Sequence, residues 1–350
     1  MRRPGALFLS EVRGQPDALA RLLEDTAEHE AVAKEIAKRA PAAIRLVGHG
    51  SSDAAASYGV YAFGVLAGLT AMRDSISLTT YYDAKLDVSN SVVIGLSQSG
   101  RTQDVVEYVS RMRERGAFTV AITNDARSTL AGVAEVTLPL RAGPERSVAA
   151  SKTYMNQLTS LALLAGGAAG KIRKVAEGLR KVGDQMDGMI DPLGLRAREM
   201  APAFTYVERM FVVGRGFELA TAREVALKLT ETCRVTAEPL TATDLAHGPV
   251  AAIEDLFPVW TIASHDETLP AVIEAAARAR AAGATLVASG SAAARIPGAS
   301  FSLPVPRPAR PAFAPLLSVV AGQLFAAGLA LAKGLDADHP EQLSKVTLAQ

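Results

Sequence analysis

Short runs of apolar, often β-branched residues alternate along this chain with longer segments whose apolar positions recur every three or four residues. Residues 44–48 read as a strand that ends in Gly48-His49-Gly50-Ser51-Ser52, and an alanine-rich helical segment follows from Asp53. Residues 92–96 form the next strand, running into Ser97-Gln98-Ser99-Gly100. A helix then opens near Thr102, with Asp104 in its first turn. Residues 118–123 and 136–140 supply two more strands. Strands that are apolar throughout and separated by helices predict a parallel sheet covered on both faces.

The pattern then recurs. Residues 210–214 read as a strand ending in Gly214-Arg215-Gly216, and 259–264, 285–289 and 300–303 supply further strands. A shift of 166 residues carries Gly48 onto Gly214, Leu96 onto Ile262 and Ile122 onto Ala288, each at a strand end. Three landmarks in one register argue for a duplicated unit. The helical stretch 171–200, with a break expected near Asp191-Pro192, reads as the connection. This divides the chain into a first α/β domain over residues 1–180, with an N-terminal helical segment, and a second over 181–350.

Composition narrows the function. The chain has 350 residues, of which 49% are apolar but only 5% aromatic, so two aliphatic cores are expected. A formal net charge of +1 with no basic tract excludes nucleic acid as the main partner and electrostatic attachment to a membrane. A single cysteine, Cys233, and five scattered histidines offer no disulfide and no metal-ligand pattern, so no metal site is expected. The apolar run after Met1-Arg2-Arg3 is short for a signal peptide. The apolar stretch 316–332 is short for a span and reads better as a buried core helix. A cytoplasmic protein is expected.

Ligands of open parallel sheets bind beyond the carboxyl ends of the strands. There, Ser97-Gln98-Ser99-Gly100-Arg101-Thr102 brings three hydroxyls and a turn-permitting glycine to a helix N-terminus. Hydroxyls, free backbone N–H groups and the helix dipole together suit a phosphate. The same residues also suit a plain polar turn with an N-cap. Ser51 and Ser52 can reach the same spot. The equivalent loop of the second half, residues 262–267, is acidic, so one anion site per chain is expected. Downstream, Glu224, Lys228 and Glu231 share a helix face. His247 follows in Asp244-Leu245-Ala246-His247-Gly248-Pro249. A carboxylate, an ammonium and an imidazole so close can move protons. Taken alone, the Glu224–Lys228 pair reads as a surface ion pair.

In order along the chain, several segments resemble the SIS (sugar isomerase) domain family. They are Phe8-Leu9-Ser10-Glu11-Val12 with Gln15-Pro16, Gly50-Ser51-Ser52, Leu96-Ser97-Gln98-Ser99-Gly100, Ser147-Val148-Ala149-Ala150-Ser151-Lys152, Ala226-Leu227-Lys228-Leu229, Ala246-His247-Gly248-Pro249 and Leu343-Ser344-Lys345. The similarity extends to the isomerase half of glucosamine-6-phosphate synthase and to SIS-type glucosamine-6-phosphate deaminases. It implies two SIS domains, each a three-layer α/β/α, flavodoxin-like sandwich. It implies that Ser97, Gln98, Ser99 and Thr102 hold a phosphate with Ser52 nearby, and that Val148 and Ser151 line a sugar pocket. By the same resemblance Glu231 moves a proton between C1 and C2, Lys228 supports the enediol-like intermediate, and Lys345 forms a Schiff base with a ketose. His247 would open the sugar ring from the neighbouring subunit, which makes a homodimer the expected assembly. By position alone, Lys345 reads as a solvated tail lysine.

Arg101 stands where the synthase usually has an acidic residue. No glutamine-hydrolysing domain precedes the first half, no cysteine follows Met1, and Cys233 lies in the wrong segment to replace one. The expectation is therefore release of ammonia from glucosamine 6-phosphate, giving fructose 6-phosphate, without glutaminase activity and without metal or organic cofactor, since the substrate's own carbonyl acidifies the proton. Aldose–ketose isomerisation, deglycation of a fructosamine phosphate and a non-enzymatic sugar-phosphate sensor are the alternatives.

Overall fold

A computed structural model describes residues 4–345. The elements run α1 (Ala6–Arg13), α2 (Gln15–Leu23), α3 (Ala27–Arg39), β1 (Ala43–Val47), α4 (Ser51–Ala62), β2 (Ala71–Arg73), α5 (Ile76–Thr80), β3 (Ser91–Leu96), α6 (Gln103–Glu114), β4 (Phe118–Thr123), α7 (Thr129–Val133), β5 (Val136–Pro139) and α8 (Lys152–Ala168). After α9 (Ile172–Met200) come β6 (Arg209–Gly214), α10 (Glu218–Cys233), β7 (Thr236–Thr241), α11 (Ala242–Ala246), β8 (Pro258–Ile262), α12 (Leu269–Ala281), β9 (Thr285–Gly290), β10 (Phe301–Pro304) and α13 (Ala314–Ala332).

The strands form two five-stranded sheets, ordered β2-β1-β3-β4-β5 and β10-β9-β8-β6-β7, with every pairing parallel. Counted within each half, both follow the order 2-1-3-4-5 of a flavodoxin-like sheet. The registers also repeat: Val47 pairs with Gly95, and Val213 with Thr261, each shifted by the same 166 residues. The duplicated three-layer α/β architecture expected from the sequence is present.

Two strands escaped the sequence reading. β2 has only three residues, and β7 is polar and carries Pro239, a residue tolerated at a sheet edge because its missing N–H breaks no inner ladder. The expected helix break at Asp191-Pro192 is absent, for α9 continues through Pro192. Pro192 and Gly188, four residues earlier, are both exposed, so water can take the carbonyl that the proline leaves unbonded.

By packing, the chain forms two compact units. One contains residues 17–145, 152–180 and the described residues from Ser344, and holds the first sheet. The other contains the described residues through Pro16, Arg146–Ser151 and Lys181–Leu343, and holds the second. In the first unit, Val47, Val93 and Ala121 of the sheet pack with Val105, Tyr108 and Val109 of α6. In the second, alternation along β8 serves two faces. Val259 joins the core against α12, while Trp260 meets Phe325 of α13 edge-on at 5.0 Å. One described helical stretch, Pro311–Ala332, is long and apolar enough to cross a membrane, but 94% of an 18-residue apolar segment within it is buried inside the protein. It is the central core helix of the second unit.

Candidate functional site

Beyond β1 and β3, where the strand order of the first sheet reverses, lie the two loops that carry the expected phosphate ligands. Ser97 is buried, and its hydroxyl is 3.1 Å from Thr102 Oγ1 and accepts the backbone N–H of Gly100 at 3.1 Å. Ser99 Oγ accepts the N–H of Arg101. Thr102 is the N-cap of α6, so the loop delivers its hydroxyls to the start of a twelve-residue helix. Gln98, Ser99 and Thr102 are half-buried, open enough to meet a ligand. Ser52, in the first turn of α4, accepts from Gln157 Nε2 of α8 at 2.9 Å. Two glycines shape this place. Gly100 has φ of 63°, and a Cβ there would stand 2.0 Å from Ser128 Oγ. A Cβ on Gly48 would meet Ser52 Cβ at 2.8 Å and Leu96 O at 3.0 Å.

The proton-transfer candidates lie on α10 in the other unit. Lys228 Nζ donates to Glu231 Oε2 at 2.5 Å and lies 3.4 Å from Glu224 Oε1. The side chains of Lys228 and Glu224 are fully buried, whereas Glu231 keeps 22% of its side chain exposed. Glu224–Lys228 is therefore no surface pair. The i,i+4 spacing was legible, but burial of both side chains is set by the tertiary fold, which no local pattern reports. The ammonium between two carboxylates offsets the desolvation of the buried group and orients the one carboxylate that reaches solvent. Glu231 lines a cavity of about 920 Å³ with Arg234, Asp336, His339 and Glu341.

His247 caps the end of α11 and is exposed, followed by Gly248 at φ of 148°. Val148 is half-buried and Ser151 buried. Their loop is held from α1, for Glu11 accepts the backbone N–H groups of Arg146 and Ser147, at 2.6 and 3.3 Å. Val148 N donates to Asp338 O, and the Asp338 carboxylate takes the N–H groups of Leu7 and Phe8 at the start of α1. The opening motif around Glu11 thus ties down the loop that carries Val148.

Lys345 falls in the first unit and donates from Nζ to Glu145 Oε2 at 3.0 Å. Glu145 is buried and also accepts from the N–H and Oγ1 of Thr153. Lys345 is thus anchored rather than solvated. Glu145 was not singled out from the sequence, because a lone glutamate in a loop carries no pattern. The structure joins Ser97 to Thr102, Lys228 to Glu231, and Lys345 to Glu145. Ser52, Ser97, Gln98, Ser99, Thr102 and Lys345 belong to the first unit, and Val148, Ser151, Lys228, Glu231 and His247 to the second. Among the described residues no group of three or more His, Cys, Asp or Glu side chains is placed to hold a metal ion.

The SIS domain profile matches twice, over residues 39–166 and 204–332, each match spanning one of the two sheets. This chain belongs to the SIS domain family. It is 34% identical over 355 aligned positions to the isomerizing glutamine–fructose-6-phosphate aminotransferase of Aeropyrum pernix, covering 98% of this chain and 57% of that enzyme. The SIS chain therefore spans little more than half the length of that relative. The C-terminal domain of glucosamine-fructose-6-phosphate aminotransferase from Francisella tularensis superposes with a TM-score of 0.87 at 25% identity, covering 95% of this chain and 98% of that one. A protein from Silicibacter pomeroyi described as a phosphosugar isomerase superposes with a TM-score of 0.83 at 29% identity, covering 95% and 99%.

Proposed function

We propose that this SIS protein is a phosphosugar-processing enzyme that converts glucosamine 6-phosphate and water to fructose 6-phosphate and ammonia. The observation that carries the reading is Glu231: a carboxylate gripped by a buried lysine, with one edge open to a cavity large enough for a hexose phosphate. The similarity to aminotransferases named for isomerisation of fructose 6-phosphate supports an amino sugar as substrate.

In this mechanism the Ser97–Thr102 loop and Ser52 take the phosphate, and Val148 and Ser151 line the sugar. His247 moves the proton that opens the ring. Glu231 then removes the proton on C2 and returns it to C1, which turns the 2-amino aldehyde into a 2-imine. Lys228 stabilises the negative charge that develops on the oxygen in between. Addition of water to the imine expels ammonia and leaves the ketone. The amine of Lys345 can instead displace ammonia by imine exchange, and hydrolysis of that Schiff base releases the ketose.

A coupled assay for fructose 6-phosphate tests the reaction. Glu231→Gln is expected to abolish turnover while leaving sugar-phosphate binding in place, and Ser99→Ala to raise KM. Wild-type protein that releases no ammonia from glucosamine 6-phosphate refutes the deamination. Interconversion of a nitrogen-free aldose and ketose phosphate, seen by product NMR, would instead assign the same proton transfer to simple isomerisation.

A further inference from the structure

The duplication puts a second set of loops at the same place in the second sheet, beyond β6 and β8. The shift of 166 residues carries Ser52 onto Glu218, Ser97 onto Ala263, Gln98 onto Ser264, Ser99 onto His265, Gly100 onto Asp266 and Thr102 onto Thr268. The geometry repeats as well. In the first half Ser52 bonds to Gln157 of the last helix; in the second, Glu218 bonds to Ser318 of the last helix at 2.7 Å. A Cβ on Gly214 would collide with Glu218 O at 2.4 Å, as one on Gly48 would collide with Ser52.

What differs is the occupant. The Glu218 side chain is enclosed, 1% exposed, with Ser264 and Ser318 hydroxyls donating to Oε1 and the Thr221 hydroxyl donating to Oε2. Those hydroxyls come from the strand-end loop, α10 and α13. Beside them, Asp266 Oδ1 takes the N–H and hydroxyl of Thr268 just ahead of α12, at 2.8 and 2.6 Å. Donors that could greet an outside anion are thus already engaged by carboxyl oxygens.

We propose that the second half keeps an anion pocket at this place in the fold, rebuilt from Ser264, Thr221 and Ser318, and that the carboxyl of Glu218 stands in it where a phosphate would bind, closing it to outside anions. One phosphosugar per chain then follows from Glu218 in its hydroxyl cage, together with the loss of the loop's two serines to Ala263 and His265. This rests on the phosphate reading of the Ser97–Thr102 loop, and the experiment separates the two.

Crystals of the full chain and of a Glu218→Ala variant are soaked with inorganic phosphate, and both proteins are melted in formate and in chloride at equal ionic strength. Wild type is expected to carry one phosphate, at Ser97–Thr102, and to melt alike in both salts. Glu218→Ala is expected to melt several degrees lower in chloride, to regain stability in formate, and to hold an anion among Ser264, Ser318 and Thr221. A phosphate in the second half of wild type overturns the proposal. So does a Glu218→Ala variant indifferent to formate and empty at those hydroxyls. A wild-type chain with no phosphate at Ser97–Thr102, beside a formate-rescued variant, refutes the first-half reading alone. Should Glu218→Ala be recovered only unfolded, Glu218→Asp, one methylene shorter, takes its place with smaller shifts expected.

Discussion

Acidification should destabilise the first unit through His29. This histidine sits on α3 at its contact with α8, 2% exposed, with Nε2 3.1 Å from Ser160 Oγ. Burial pulls its pKa from 6.5 to about 4, with the Arg141 guanidinium adding to the drop and Asp25 opposing it. The folded imidazole therefore stays neutral while the unfolded one protonates below 6.5. Stability is full above that value, falls as pH drops through the window between 6.5 and 4, and levels off below it. At about 1.36 kcal/mol per unit, the linkage costs roughly 2 kcal/mol between pH 7 and pH 5, where most carboxylates are still ionised. The assay is urea unfolding followed by far-UV circular dichroism at both pH values, for wild type and His29→Gln. The difference between the two pH values should shrink by about 2 kcal/mol in the variant. An equal pH dependence in both proteins would refute the reasoning.

The remaining predictions concern the site and its scaffold. Gly100→Ala places a side chain on Ser128 in a left-handed backbone, so KM for the sugar phosphate should rise at least tenfold while Glu231-dependent turnover at saturation falls less. Gly322→Ala puts a Cβ 2.2 Å from Val225 Cγ2 where α13 crosses α10, and should cost about 1–3 kcal/mol in denaturant melts. Mixing His247→Asn with Glu231→Gln protein after reversible unfolding should restore about a quarter of wild-type activity if a twofold dimer completes each site with the other subunit's histidine; no recovery would sink that arrangement. Glu145→Gln removes the charge that anchors Lys345, and should lower kcat severalfold while leaving the melting temperature within a few degrees.

The inner strands β3, β4, β8 and β9 were legible because nearly every residue in them is buried and most are apolar, which a one-dimensional pattern records. Of the four edge strands, β5 and β10 were read, whereas β2, only three residues long, and β7, polar and carrying Pro239, were not. The Ser97–Thr102 loop was legible too, for its hydroxyls, its glycine and the following helix start are contiguous. What the sequence left open were properties set by distant segments. Glu224–Lys228 looked like a surface pair until the folded chain buried both side chains, Lys345 looked solvated until Glu145 met it, and Glu218 drew no notice until hydroxyls from α10, α13 and a strand-end loop closed around it. Spacing along one element follows from chain geometry, whereas desolvation and pairing depend on which remote surface arrives. That is why the order of motifs alone carried the family and only the folded chain decided which charges are buried, and against what.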